Sequence, residues 1–191
     1  VELPSEERHG FIWAVLTAEA EMDLDAHLGP MDSELAQWNY QAFGYHDERL
    51  LTSEVSWKGA LEAFAEGYHF PFVHGNSVIG MNTLANTHVY DEFGVHHRIG
   101  FPFNWITQLE GTEPADNWDP VQQMGIIYWV YPNLILANSP VGVEVIDILP
   151  ADSATTCTVR HSWMARYPAT TPEQTEMYDG IFAQVHAAVR D

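Results

Sequence analysis

Gly125-Ile-Ile-Tyr-Trp-Val-Tyr131, Leu134-Ile-Leu-Ala-Asn138, Val143-Glu-Val-Ile-Asp-Ile-Leu149 and Thr155-Thr-Cys-Thr-Val-Arg-His-Ser-Trp-Met-Ala-Arg-Tyr167 follow one another with Pro, Asn and Asp punctuation between them. Short β-prone runs at this spacing predict consecutive strands of an antiparallel meander. Thr171-Pro-Glu-Gln174 then combines a capping box with proline at the first helical position, so a helix starts there. Met177, Ile181, Phe182, Val185, Ala188 and Val189 share one face of that helix, which is expected to lie across the sheet.

Towards the N-terminus the pattern continues. His88–Phe93 and Val95–Phe101 flank Gly94 and predict a hairpin, followed by an insertion from Pro102 to Pro120 of the kind that builds substrate lids. Residues 75–86 read as an irregular loop. Leu35–Tyr45 and Leu50–Val55, separated by His46-Asp-Glu-Arg49, predict another hairpin, and Phe11–Thr17 a strand followed by a loop or short helix. A helix is expected to begin near Ser56, whose hydroxyl can cap it, and to end by Phe70 because Pro71 follows. Strands, one mid-chain helix and one long terminal helix predict an α+β fold with helices packed on one face of an antiparallel sheet.

The 191 residues suit one domain spanning 1–191. Seven Lys plus Arg against 27 Asp plus Glu give a formal charge of −20, which repels phosphate backbones and anionic lipids, so no nucleic acid and no membrane are expected as partners. No apolar stretch reaches membrane-spanning length. The single cysteine, Cys157, rules out an internal disulfide and suits a reducing cytoplasm. It also leaves too few thiolates for an iron–sulfur cluster held by two or more cysteines. Val1 is no initiator Met, and the terminal helix runs into Arg190-Asp191 without a closing Gly or Pro, which predicts a longer parent chain.

The chemistry concentrates in Glu62-Ala-Phe-Ala-Glu-Gly-Tyr-His-Phe-Pro-Phe-Val-His74. Glu66 and His69, three apart, share a face on a helix, so the carboxylate can orient the imidazole. Pro71 lets the chain fold back and return His74 to the same metal ion. Against this, packed or surface histidines are the default among ten, and His96-His97, adjacent on a strand, face opposite ways.

The spacing E-x-x-H-x-x-x-x-H after the helix Trp57-Lys-Gly-Ala-Leu-Glu-Ala-Phe64 resembles the catalytic domain of Rieske-type aromatic-ring-hydroxylating oxygenases. Leu3–Trp13 looks like that family's connector and first strand, and Tyr131-Pro-Asn-Leu134 like its mid-domain strand. The resemblance implies a helix-grip, START/Bet v 1-like fold and a single non-haem iron catalytic domain whose Rieske domain is absent from this chain. It assigns His69 and His74 as Fe(II) ligands, a late aspartate, Asp191 with Asp179 as fallback, as the third, and Glu66 as the relay towards a neighbouring subunit's cluster. Phe64 and Phe70 flank the ligands and are candidates to line a substrate pocket. Glu62 stands where many ring dihydroxylases carry asparagine, a departure from their pattern.

The implied reaction inserts oxygen from O2 into an aromatic or other apolar organic substrate. Electrons come from NAD(P)H through a reductase or ferredoxin and the Rieske cluster of a missing domain or partner, within a homotrimer. The isolated chain is therefore expected to be inactive. A non-catalytic START-like lipid- or small-molecule-binding domain is the main rival. A zinc hydrolase with Glu66 as general base is a lesser one, because H-E-x-x-H is missing.

Overall fold

The computed structural model describes residues 2–84, 87–112 and 118–190. In chain order the elements are β1 (Ser5–Arg8), β2 (Phe11–Ala14), α1 (Leu24–Leu28), α2 (Met31–Ala36), β3 (Gly44–Ser53), α3 (Trp57–Phe64), α4 (Val78–Asn82), β4 (Val89–Phe93), β5 (His96–Pro102), α5 (Pro120–Gln123), β6 (Met124–Val130), β7 (Leu134–Asn138), β8 (Gly142–Pro150), β9 (Cys157–Ala165) and α6 (Pro172–Arg190). From β4 to β9 each strand pairs antiparallel with its neighbour in sequence, the expected meander. β3 closes against β9, giving a seven-stranded sheet in the order β3-β9-β8-β7-β6-β5-β4. β1 and β2 form a separate hairpin.

Alternation along the strands sorts the core into two faces. On one face Ile127, Ile135, Ile146, Ile148 and Val159 pack against Leu61 of α3. α6 crosses the same face through Tyr178 and Phe182, which pack on Trp163. A buried ring such as Phe182 stabilises the fold by about 2 kcal/mol. Tyr128, Val130, Leu136 and Val143 point the other way and meet Leu24, Leu28, Met31 and Leu35. The long helices therefore grip one face of an α+β sheet, and two short helices patch the other. No helix among the described residues is long and apolar enough to cross a membrane.

Several local expectations are corrected. The hairpin expected around His46–Arg49 is instead one ten-residue strand, β3, with a register shift between Tyr45 and Asp47. β3 is an edge strand, so its outward charges sit in water and only look like a turn. Leu35 belongs to helix α2 rather than to a strand. Residues 75–86 include helix α4 rather than loop throughout. On α6, Met177 is half exposed, and Tyr178 takes its place in the core. His96 and His97 do face opposite ways: His96 is buried against the His27 carbonyl, whereas His97 meets the Tyr90 hydroxyl.

Candidate metal centre

Ser56 caps α3 by accepting the Gly59 N–H at 3.1 Å, as the sequence predicts. The helix then stops at Phe64, before the expected end at Phe70, with the Ala65 N–H bonded to the Glu62 carbonyl. The cause lies across the domain. A Cβ at Gly67 would stand 2.1 Å from Cε1 of Phe101, so the chain turns where only glycine can pass that ring. Residues 69–74 then form a turn of their own, with the Val73 N–H on the His69 carbonyl at 2.8 Å and the His74 N–H on that of Phe70 at 3.0 Å. Pro71 sits early in this turn, where its missing N–H is not needed, so it starts a new turn rather than ending the old helix.

Glu66 and His69 do meet, though through this turn and not on the face of α3. One Glu66 oxygen accepts the Tyr68 N–H at 2.6 Å and the other accepts Nδ1–H of His69. A carboxylate only accepts, so this contact places the proton on Nδ1 and leaves the Nε2 lone pair of His69 for a metal. The rings of His69 and His74 lie 5.1 Å apart, inclined by 71°. Phe70 packs 4.9 Å from His69 and 4.7 Å from Phe101.

Both histidines border a cavity of about 830 Å³ between the sheet and the helices α3, α4 and α6. Phe64 and Phe70 line it while also belonging to the core. Val189 and Arg190 line it too, so the C-terminal turn of α6 arrives beside the histidines. Asp191 lies outside the described residues. Asp179 is not brought to the cavity: it bonds His46 at 2.9 Å and borders a separate surface groove. Glu62 is exposed on α3 and takes no part. Among the described residues no cluster of three or more His, Cys, Asp or Glu could hold a metal.

Sequence reasoning missed Glu144, Asn82, Phe101 and Phe103, all in the cavity wall. For Glu144 a signal existed. It sits between Val143 and Val145 and shares the inward alternation of Ile146 and Ile148, where a carboxylate is out of pattern.

Residues 35–190 match the family described as ring hydroxylating alpha subunit (catalytic domain). The chain belongs to this family. No curated protein sequence matches it. Among solved structures, the quaternary ammonium Rieske monooxygenase CntA in complex with an inhibitor shares 14% identity and superposes with a TM-score of 0.75, over 98% of this chain and 48% of that one. A further structure of a quaternary ammonium Rieske monooxygenase, described in terms of carnitine oxidation by gut microbiota and inter-subunit electron transfer, gives 13% and 0.72, over 98% and 49%. A naphthalene 1,2-dioxygenase mutant bound to phenanthrene gives 17% and 0.62, over 97% and 50%. The chain thus spans about half the length of the structures it matches.

A ring-hydroxylating catalytic domain implies non-haem iron, and the residues present fit it in part. Ring nitrogens sit roughly 2 Å from a bound metal, and the 5.1 Å spacing of the His69 and His74 rings suits two nitrogens on one ion. Neutral imidazole is a suitable donor for ferrous iron.

Proposed function

We propose that this chain is the oxygen-activating domain of a Rieske-type oxygenase, a single unit over residues 1–191. His69 and His74 hold Fe(II), with a carboxylate at Asp191 as third ligand. The observation that carries the proposal is the pair of imidazoles 5.1 Å apart, one oriented by Glu66, in the wall of a large and mostly apolar cavity. Bound ferrous iron supplies the reductive activation of dioxygen.

The chain's own residues do the rest. Glu66 holds the tautomer and angle of His69 and, partly exposed, reaches the surface as the link to a neighbouring subunit's Rieske cluster. Phe64 and Phe70 offer apolar contact to the substrate and keep water from the histidines. The substrate is a small, mostly apolar organic molecule. Electrons come from NAD(P)H through a reductase or ferredoxin, in a trimer whose neighbours complete the circuit, and the lone Cys157 suits a cytoplasmic setting.

Metal analysis of anaerobically prepared protein, with oxygen uptake in the presence of reductase and Rieske partner, tests the proposal. The expected result is one iron per chain, lost in both His69→Ala and His74→Ala. A protein without iron that binds apolar ligands equally well after His69→Ala belongs to the non-catalytic reading.

A further inference from the structure

Behind the cavity wall, a carboxylate and two imidazoles run in series. Glu144 on β8 lines the cavity, and its Oε2 lies 3.1 Å from Nε2 of His161 on β9. His161 is fully buried, and its Nδ1 lies 3.0 Å from Nδ1 of His186 on α6, with the rings stacked 5.3 Å apart. Sheet register produces the arrangement. Glu144 pairs with Trp163 and Ile146 with His161, which makes Glu144 and His161 diagonal neighbours on the face that α6 covers. Polar groups in such a place are costly where an aliphatic pair would serve, as Ile146 and Ile148 do beside them.

The hydrogen-bonding inventory gives the series a direction. With the His161 proton on Nε2, the nitrogen that faces the accept-only carboxylate, its Nδ1 is the acceptor and His186 donates from Nδ1. The 3.1 Å Nε2–Oε2 contact falls outside hydrogen-bond geometry, so proton passage requires the Glu144 carboxylate to turn about its broad last torsion. His186, half-buried on α6, is the outer end.

We infer that His186, His161 and Glu144 form a proton conduit from the α6 surface into the cavity, serving the oxygen chemistry at the two-histidine centre. This rests on the function proposed above. Insertion of oxygen from dioxygen with two electrons from the reductase consumes two protons, whether one oxygen leaves as water or both enter the substrate. In one passage solvent first protonates His186 at Nε2; the His186 Nδ1–H bond then breaks and a His161 Nδ1–H bond forms, and the His161 Nε2–H bond breaks and a Glu144 O–H bond forms. Glu144 passes that proton into the cavity, both rings are left neutral with their tautomers exchanged, and ring rotation restores them. Burial, with His161, Arg49 and Arg190 beside it and Glu144 acting oppositely, holds the His186 imidazole below its ordinary 6.5.

Two measurements on the assembled oxygenase test this. The first needs no turnover: deuterium exchange at histidine C2, read by mass spectrometry against pH, follows the titration of His186. Glu144→Gln is expected to move that titration to lower pH, and His161→Phe to higher; no movement in either overturns the conduit. The second is turnover. Glu144→Gln and His161→Phe are expected to lower kcat about tenfold to a hundredfold, the range open to lost proton transfer, with KM and iron content retained. The wild-type solvent isotope effect on kcat should change, and formate should rescue Glu144→Ala. A wild-type enzyme that turns over while Glu144→Gln matches its kcat also overturns the conduit. If the wild type neither holds iron nor consumes oxygen, the oxygenase proposal fails and the conduit with it; a wild type that holds iron and turns over while the His186 titration stays put in both variants overturns the conduit alone.

Discussion

Gly80 abuts the backbone of His74 so closely that a Cβ added to it would lie 2.1 Å from the His74 carbonyl oxygen. Helix α4 is thereby pressed against the turn that carries His69 and His74, with Ser77 at its N-cap donating its N–H to the same carbonyl at 2.8 Å. Gly80→Ala would gain about 1 kcal/mol of helix propensity, but overpacking against backbone costs about 1–3 kcal/mol. The second effect wins because a carbonyl cannot rotate away as a side chain can. We predict lower stability and loss of bound iron with the His69–Glu66 contact intact, measured by thermal denaturation and metal content.

Gly180 is the opposite case. It lies exposed in the middle of α6, and a Cβ there meets nothing within 4 Å. Replacing glycine by alanine in an open helical position is worth about 1 kcal/mol. For a chain of this size that raises Tm by about 2–4 °C. Gly180→Ala should show that rise with unchanged iron binding, and an unchanged Tm would mean that α6 is not stably formed there.

Glu66→Gln separates orientation from charge. The amide oxygen still accepts one N–H, but the charge-assisted bond to His69 is lost, and such bonds are roughly twice as strong as neutral ones. Because Glu66 is partly exposed, stability should fall by less than about 1 kcal/mol. Iron should be retained while reduction of the centre by the Rieske partner slows by at least about tenfold, measured by stopped flow. Equal rates in the two proteins would remove Glu66 from the electron path.

The sheet was largely legible in the sequence because its strands are local. β6 to β9 and the β4–β5 hairpin announce themselves by β-prone runs and punctuation, and Ser56 and Thr171 by capping chemistry. β3 was not, since its partner β9 lies more than a hundred residues away and its charges mimic a turn. Leu24, Leu28, Met31 and Leu35 carried a helical period across Gly29-Pro30 that a strand reading of Leu35 overlooked. At the candidate site, the His69–His74 pairing followed from spacing. The early end of α3 did not, because it depends on Phe101 meeting Gly67 across the fold, and the Glu144–His161–His186 series depends wholly on tertiary register.

Stability should fall in mild acid, and His96 is one reason. It is buried, with Nε2–H donating to the His27 carbonyl at 2.7 Å and Nδ1 accepting the Tyr131 N–H at 3.0 Å. Protonation would set a second N–H against that of Tyr131, and burial holds the imidazole below its ordinary 6.5. The unfolded chain therefore binds a proton that the folded chain refuses. The stabilising difference is complete above pH 6.5 and is lost as pH falls from 6.5 through the lower folded value, at no more than about 1.4 kcal/mol per pH unit for one group. His186, also held low, adds in the same direction. Thermal denaturation at pH 7.5 and 5.5 should show a lower Tm in acid, and His96→Gln, which keeps a donor and an acceptor but cannot titrate here, should shrink that difference while lowering Tm at both values. A difference of the same size in the variant would assign the acid sensitivity to other groups.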